Sequence, residues 1–101
     1  MKVKIPFKAR FKEPMLSGRK TWTSRTKCYG RSGDIFEAFG HEFIIEKIET
    51  KMLLEVARHW LEEGCKSKLD FIELWKKIHP RKGFDSYQWV HVHIFRRMTK
   101  I

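Results

Sequence analysis

The sequence is poor in cysteine, has no long apolar segment and has almost no acidic residues in its first third. Cys28 and Cys65 are the two cysteines among 101 residues, and they form no CxxC pair. This pattern predicts free thiols in a reducing compartment and argues against a zinc knuckle. No apolar run approaches the roughly 18 to 20 residues that span a bilayer, and the N-terminus lacks an apolar signal region. We therefore expect a soluble, cytoplasmic protein that does not enter a membrane.

The shortage of acidic residues is confined to one part of the chain. Residues 1–33 contain ten lysines and arginines and a single acid, Glu13, for a net charge of +9. The remaining 68 residues contain twelve basic and eleven acidic residues, for a net charge of +1. A positive potential concentrated in this way attracts polyanions, and nucleic acid or a nucleotide is the expected partner. An anionic membrane is the alternative, but the basic third lacks the amphipathic helical pattern that membrane binding needs.

Length and hydrophobic pattern bound the fold. A chain of 101 residues with 42% hydrophobic residues is enough for a single domain, residues 1–101, with one modest core. The apolar spacing predicts strands and helices in the order β, helical turn, β, β, β, helix, helix, β, which indicates a small mixed α+β domain with a partly closed barrel. The predicted strands are 2–8, 20–25, 34–39, 41–48 and 87–97, and the predicted helical segments are 11–17, 51–63 and one that begins after Ser67 and ends before Pro80.

The candidate working surface is residues 18–25, Gly-Arg-Lys-Thr-Trp-Thr-Ser-Arg. Cations on an edge strand can simply oppose aggregation, but beside hydroxyl groups and an aromatic ring they also suit a phosphate or a nucleobase. Because Lys20 follows a predicted turn at Gly18, its side chain could reach either face of the strand. Strict alternation assigns the two faces as follows: Thr21, Thr23 and Arg25 on one, Lys20, Trp22 and Ser24 on the other.

Two histidines, His91 and His93, lie on one predicted strand face, where imidazoles can bind a metal. Only His41, His59 and Glu63 could complete a site, and no spacing supports such a set. We therefore expect packed, hydrogen-bonded histidines, with no metal and no other cofactor.

The segment 18–25 resembles the signature of the ASCH domain family, a branch of the PUA-like superfamily with the pattern Gly-x-Lys-x-x-Glu-x-Arg. The resemblance extends over essentially the whole chain: a short helix precedes Gly18, Gly33-Asp34 opens the next strand, helices are inserted, and a strand at 90–94 closes the domain. It implies a small mixed β-barrel with a short N-terminal helix, a peripheral helical hairpin, a cleft beside the motif, and a role in RNA metabolism.

Thr23 stands where the family usually has an acid. The resulting Lys-x-x-Thr pattern is similar to that of a subgroup of small amidohydrolases that remove the acyl group from N4-acetylcytidine. This resemblance implies that Lys20 and Thr23 are catalytic, together with a glutamate four residues after a histidine. His59 and Glu63 have that spacing, and Glu62 is the fallback.

The implied chemistry is coherent. A threonine hydroxyl becomes a nucleophile when a base takes its proton, and a lysine can be that base if burial and neighbouring cations lower its pKa. Glu63 could exchange a proton with the leaving exocyclic amine, and Trp22 or another aromatic residue could stack on the pyrimidine. The residues assigned to binding of substrate or nucleic acid are Gly18, Arg19, Trp22, Arg25, Lys27 and Arg31.

Two alternative functions remain beside hydrolysis of N4-acylated cytidine. The first is a non-catalytic module that binds single-stranded RNA, with an affinity that falls steeply with salt. The second is an RNA-cleaving ASCH variant.

Overall fold

Five strands form one mixed sheet in the computed structural model, which describes residues 1–98. The strand order is β1-β3-β4-β5-β2. β1 pairs with β3 in parallel, and the other pairs are antiparallel. The two longest strands, β4 and β5, pair with each other in the middle of the sheet. The strands are β1 Lys2–Val3, β2 Trp22–Arg25, β3 Ile35–Ala38, β4 His41–Met52 and β5 Trp89–Arg97.

Three α-helices and one 3-10 turn lie around the sheet within the described residues. The turn is Ala9–Phe11, and the helices are α1 Lys12–Leu16, α2 Leu53–Arg58 and α3 Lys68–Ile78. None of these helices combines the length and the apolar character needed to cross a bilayer.

Helix α3 begins where its sequence predicts. The Ser67 side chain accepts a hydrogen bond of 3.0 Å from the Asp70 N–H, which is the N-cap interaction expected of a serine in this position. The buried residues of α3 are Phe71 and Trp75. Leu69 on the same helix is 64% exposed, although its apolar side chain would favour an inward position, because the face packed on the rest of the domain is centred on the two aromatic residues.

The core is an aromatic cluster on one side of the sheet. Phe36, Phe43 and Phe95 are almost completely buried, with ring centroids 5.3 to 5.6 Å apart. Phe7 stacks on Phe36 at 5.6 Å and extends this cluster toward the chain segment before α1. Such offset and edge-to-face pairs add to the stabilisation gained from burying apolar area.

Strand β5 lies in the interior of the sheet. Val90 and Val92 on one face, and His93 and Phe95 on the other, are at most 1% exposed. A strand covered on both faces belongs in the interior of a sheet, and β5 is paired with β4 on one side and β2 on the other.

The first predicted strand, 2–8, is wrong beyond Val3. Only Lys2–Val3 joins the sheet. Pro6 has no N–H with which to extend a ladder, and its carbonyl instead accepts a hydrogen bond of 2.6 Å from Nη2 of Arg25. The segment after β1 therefore contacts the end of β2.

The predicted helix 51–63 is also too long. β4 continues through Met52, α2 ends at Arg58, and residues 59–64 form turns. The carbonyl oxygen of Glu62 accepts hydrogen bonds from the N–H groups of Thr21 and Trp22 at 2.8 and 2.9 Å. These bonds to the chain entering β2 add to the hydrogen bonds within the turn, such as that from the Glu63 N–H to the carbonyl of His59.

Candidate active site

A cavity of about 390 Å³ lies beside the end of β2. Its sides come from the segment before α1, the turn after α2, the loop after β2, and helix α3. The polar residues of its lining include Lys20, Thr23, Ser24, Arg25 and Glu63, and its aromatic residues are Phe7, Phe11, Tyr29, Phe71 and Trp75.

Lys20 is buried at this cavity, with 3% of its surface exposed. Its Nζ donates hydrogen bonds to the carbonyl oxygens of Trp22 at 2.6 Å and of Glu63 at 2.7 Å. The ammonium also lies 4.4 Å from the centre of the Phe11 ring, a cation–π distance. Burial lowers the pKa of Lys20 from 10.5 to about 8, although the nearby Glu63 carboxylate acts in the opposite direction.

Glu63 supplies the carboxylate of the cavity. It is 4% exposed, and its Oε2 accepts a hydrogen bond of 2.6 Å from Oγ of Ser24. Its Oε1 lies 3.7 Å from Nζ of Lys20. Glu62, the fallback that the sequence offers, is not in the cavity lining and instead lies 3.5 Å from Nδ1 of His59.

Thr23 is held by an arginine rather than by the lysine. Its Oγ1 accepts a hydrogen bond of 3.1 Å from Nε of Arg25. The guanidinium of Arg25 lies over the rings of Phe7 and Tyr29, at 5.0 and 5.6 Å from their centroids. Burial lowers the pKa of Arg25, but a guanidinium remains charged at neutral pH. The hydroxyl of Thr23 therefore has a permanent cation against its oxygen.

Lys20 and Thr23 reach the same cavity although strict alternation would separate them. β2 begins only at Trp22, so Lys20 precedes the strand and is not bound by its alternation. The Lys20 N–H donates to the carbonyl of Pro14 at 2.9 Å, which attaches this residue to α1. The sequence leaves open which face Lys20 takes, and its attachment to α1 determines the outcome.

Several residues assigned to binding from the sequence lie outside the cavity lining. Arg19 forms an ion pair with Glu13. Trp22 stacks on His59, with ring centroids 4.5 Å apart. The other three are solvent-facing or in turns: Gly18, Lys27 and Arg31.

The sequence reasoning does not assign a role to Ser24 or Cys65, which both line the cavity. A signal for Ser24 is present, because it lies within residues 18–25, the candidate working surface. Cys65 gives no signal in the sequence. Burial raises the pKa of its thiol to about 11, so it is protonated at neutral pH.

His93 is a structural histidine. Its Nδ1 donates to the carbonyl of Thr23 and its Nε2 accepts from the N–H of Tyr29, both at 3.0 Å. Burial lowers its pKa, so the ring is neutral with both nitrogens occupied. No group of three or more His, Cys, Asp or Glu side chains within residues 1–98 is placed to hold a metal ion.

Comparison with known proteins gives structural matches but no sequence matches. No protein-family model matches the chain, and no curated protein shows significant sequence similarity to it. The hypothetical protein PH0355 superposes with a TM-score of 0.75 at 16% identity, over 97% of this chain and 100% of that one. Protein PF0455 from Pyrococcus furiosus superposes with a TM-score of 0.68 at 14% identity, over 99% and 100% of the two chains.

A third solved structure carries a family name. The ASCH domain from Lactobacillus crispatus superposes with a TM-score of 0.62 at 12% identity, covering 93% of this chain and 77% of that one. Identities this low establish the fold and not the activity. The chain has the α+β fold of an ASCH domain, as its sequence predicted.

Proposed function

We propose that this protein binds a nucleoside in the cavity and hydrolyses the N4-acyl amide of an acylated cytidine. The observation that carries the proposal is the buried pair of Lys20 and Glu63 in a cavity with aromatic walls that Thr23 also lines. Burying two charges costs the fold free energy that apolar residues would not. Groups whose pKa is shifted by burial, as that of Lys20 is, are concentrated at functional sites.

The size and the walls of the cavity support a small planar ligand. A volume of about 390 Å³ is within the range of small-molecule sites. The rings of Phe7, Phe11 and Tyr29 offer aromatic surface for a pyrimidine. We place the acyl carbon near Thr23 and the exocyclic nitrogen near Lys20, since these are the groups the reaction needs.

The first step is attack by the threonine. In the neutral Lys20 amine, two hydrogens can donate to the carbonyls of Trp22 and Glu63, which leaves the lone pair free to accept a proton. Thr23 Oγ1 attacks the acyl carbon while its proton passes to Lys20, giving a tetrahedral adduct. The hydrogen bond from Arg25 to Oγ1 stabilises negative charge on this oxygen.

The second step releases the amine. The bond between the acyl carbon and N4 breaks, and the exocyclic nitrogen takes a proton from the Lys20 ammonium. The Glu63 carboxylate stabilises this ammonium while it exists. Water then attacks the threonyl ester with Lys20 as base, which releases the carboxylic acid and restores the hydroxyl.

The test is incubation with N4-acetylcytidine and chromatographic detection of cytidine. We expect K20M, T23V and E63Q each to lower kcat by about 100-fold or more. K12M is the matched control, because Lys12 is an exposed lysine of α1 outside the cavity lining. Intact substrate after incubation with folded wild-type protein would end the proposal.

A second candidate function, binding of single-stranded RNA, is favoured by the net charge of +9 in residues 1–33. We expect binding of a labelled oligonucleotide to weaken steeply between about 50 and about 200 mM salt. The double variant K27A/R31A should weaken binding, whereas K76A/K77A on α3 should not. Binding that does not respond to salt, or that both double variants weaken equally, would contradict this function.

A further inference from the structure

Three buried side chains form a connected chain in the cavity. The hydroxyl of Ser24 donates to Oε2 of Glu63 at 2.6 Å, and Oε1 of Glu63 lies 3.7 Å from Nζ of Lys20. Ser24, Glu63 and Lys20 are 7%, 4% and 3% exposed. Solvent therefore competes little for these groups, and the position of one carboxylate affects both of its neighbours.

The distance between Glu63 and Lys20 is the informative one. Hydrogen bonds between an ammonium and a carboxylate are about 2.7 to 2.9 Å long, so 3.7 Å is an ion pair without a direct hydrogen bond. A lysine ammonium has three donors, and two of them are used by the carbonyls of Trp22 and Glu63. The third hydrogen-bonding position of the Lys20 nitrogen is therefore not occupied by the nearby Glu63 carboxylate.

We propose that Ser24 is a positioning residue: its hydroxyl holds the Glu63 carboxylate beyond hydrogen-bonding distance of the Lys20 amine, which keeps one position on that nitrogen open for proton transfer. This role rests on the proposed function, in which Lys20 takes the proton of Thr23. Without the hydroxyl, Oε2 of Glu63 loses its donor, and the carboxylate turns toward the ammonium.

The other groups around Lys20 stay in place when Ser24 changes. The charged and titratable groups that act on it are Glu63 and Cys65 from the turn after α2, and Arg25 from β2. The Phe11 ring covers its ammonium from the side of α1. Of these groups, Glu63 is the one that accepts a hydrogen bond from the Ser24 hydroxyl. A change at Ser24 therefore affects Lys20 through this carboxylate.

The proposal therefore predicts the direction in which the pKa of Lys20 changes in the variant S24A. A carboxylate that closes on the ammonium favours its charged form, so the pKa of Lys20 should rise from about 8 by roughly one unit or more. At pH 7 the neutral fraction, and kcat with it, should fall about tenfold for each unit of this rise. KM should stay the same. The difference in kcat between S24A and wild type should disappear as the pH is raised, because Lys20 is then neutral in both proteins.

Two measurements test the role. The first follows the 13Cε resonance of Lys20 against pH in labelled protein, assigned by its absence from K20M. The second follows kcat for N4-acetylcytidine against pH. S24T, which keeps a hydroxyl, should restore both midpoints. S24C keeps the volume with only a weak donor and should shift them as S24A does. S32A is the control, since Ser32 donates to the carbonyl of Glu46 outside the cavity lining.

The outcomes separate the two proposals. The positioning role is supported if the titration midpoint of Lys20 is higher in S24A or S24C than in wild type and returns to the wild-type value in S24T. An unchanged or lowered midpoint in a folded S24A or S24C protein overturns it. If wild-type protein leaves N4-acetylcytidine intact, the proposed hydrolysis fails, and the resonance midpoint still decides what Ser24 does to Lys20.

Discussion

Gly64 lies directly against the side chain of Lys20. A Cβ atom placed on Gly64 would be 2.8 Å from Cβ and 2.9 Å from Cδ of Lys20. Gly64 also has a φ of +82°, which side chains other than hydrogen rarely permit. The absence of a side chain at Gly64 therefore leaves room for the aliphatic stem of the lysine to run past the turn and deliver its amine to the cavity.

We expect G64A to displace Lys20 and to lower both stability and activity. The matched control is G40A, because Gly40 has a φ of +79° but a Cβ atom added there would meet no atom within 4 Å. G40A should cost about 1 kcal/mol of unfolding free energy through backbone strain alone, and G64A should cost about 1 to 3 kcal/mol more through the collision. Urea denaturation measures both variants. Equal losses in the two would show that the contact with Lys20 is unimportant.

Lys20 should give the protein a distinctive dependence of stability on pH. Below a pH of about 8 this lysine is protonated in both the folded and the unfolded chain, and the cost of burying its charge is fully present. Between its pKa of about 8 in the folded state and 10.5 in the unfolded state, only the unfolded chain holds the proton, so the contribution to stability rises with pH.

The measurement is the unfolding free energy of wild type minus that of K20M at a series of pH values. The difference should grow by about 3 kcal/mol in favour of wild type between about pH 7 and about pH 10.5. Subtracting K20M removes the titration of the other lysines, the tyrosines and Cys65. A difference that is flat over this range would mean that burial does not perturb Lys20.

His93 should be important for stability through its two backbone hydrogen bonds. H93F keeps an aromatic ring but removes the side-chain hydrogen bonds to the carbonyl of Thr23 and from the N–H of Tyr29, at a cost of about 3 kcal/mol. The control is H91F, because His91 lies two residues away on β5 and is only partly buried. Thermal or urea unfolding of the two variants compares them, and a similar small loss in both would contradict the structural role.

His93 should also make the stability of the protein depend on pH in the acid range. Because burial lowers the pKa of His93 below 6.5, the unfolded chain takes up a proton at a pH where the folded chain does not. Its contribution to stability is therefore lost progressively as the pH falls below 6.5. H93F should lack this component of the acid sensitivity of wild type.

The two cysteines should react at very different rates. Cys28 is exposed, whereas Cys65 is buried and has a pKa raised to about 11, so little thiolate is available for reaction. Titration with a disulfide reagent should show one fast thiol in the native protein and two in denaturant. C28S should remove the fast phase, and a fast phase that persists in C28S would show that Cys65 is accessible.

Features encoded by local sequence were predictable. The Ser67 cap and the alternating pattern of β5 both depend on neighbouring residues, and both are found where the sequence places them. The resemblance at residues 18–25 indicated the fold, which the solved structures bear out. It also directed attention to Lys20 and Glu63, which line one cavity.

Features decided by contacts between distant segments were not predictable. The turn after α2 is bonded to the chain entering β2 through the carbonyl of Glu62, and no residue near Arg58 indicates this contact in the sequence. Likewise, the carbonyl of Pro6 accepts a hydrogen bond from Arg25, nineteen positions away in sequence, and the local pattern of residues 2–8 does not indicate this contact. The link between Ser24 and Glu63 spans 39 positions, so residue type and alternation alone could not assign it.

The turn at residues 59–64 is attached to β2 by its main chain. Glu62 and Glu63 contribute backbone oxygens to Thr21, Trp22 and Lys20, and those contacts depend little on which side chains the turn presents. Replacement of its outward-facing residues should therefore leave the site intact, whereas inserting or deleting a single residue would shift the carboxylate out of reach. Besides Glu63 and Gly64 themselves, the number of residues in this turn is what a designer who wished to rebuild the site would have to preserve.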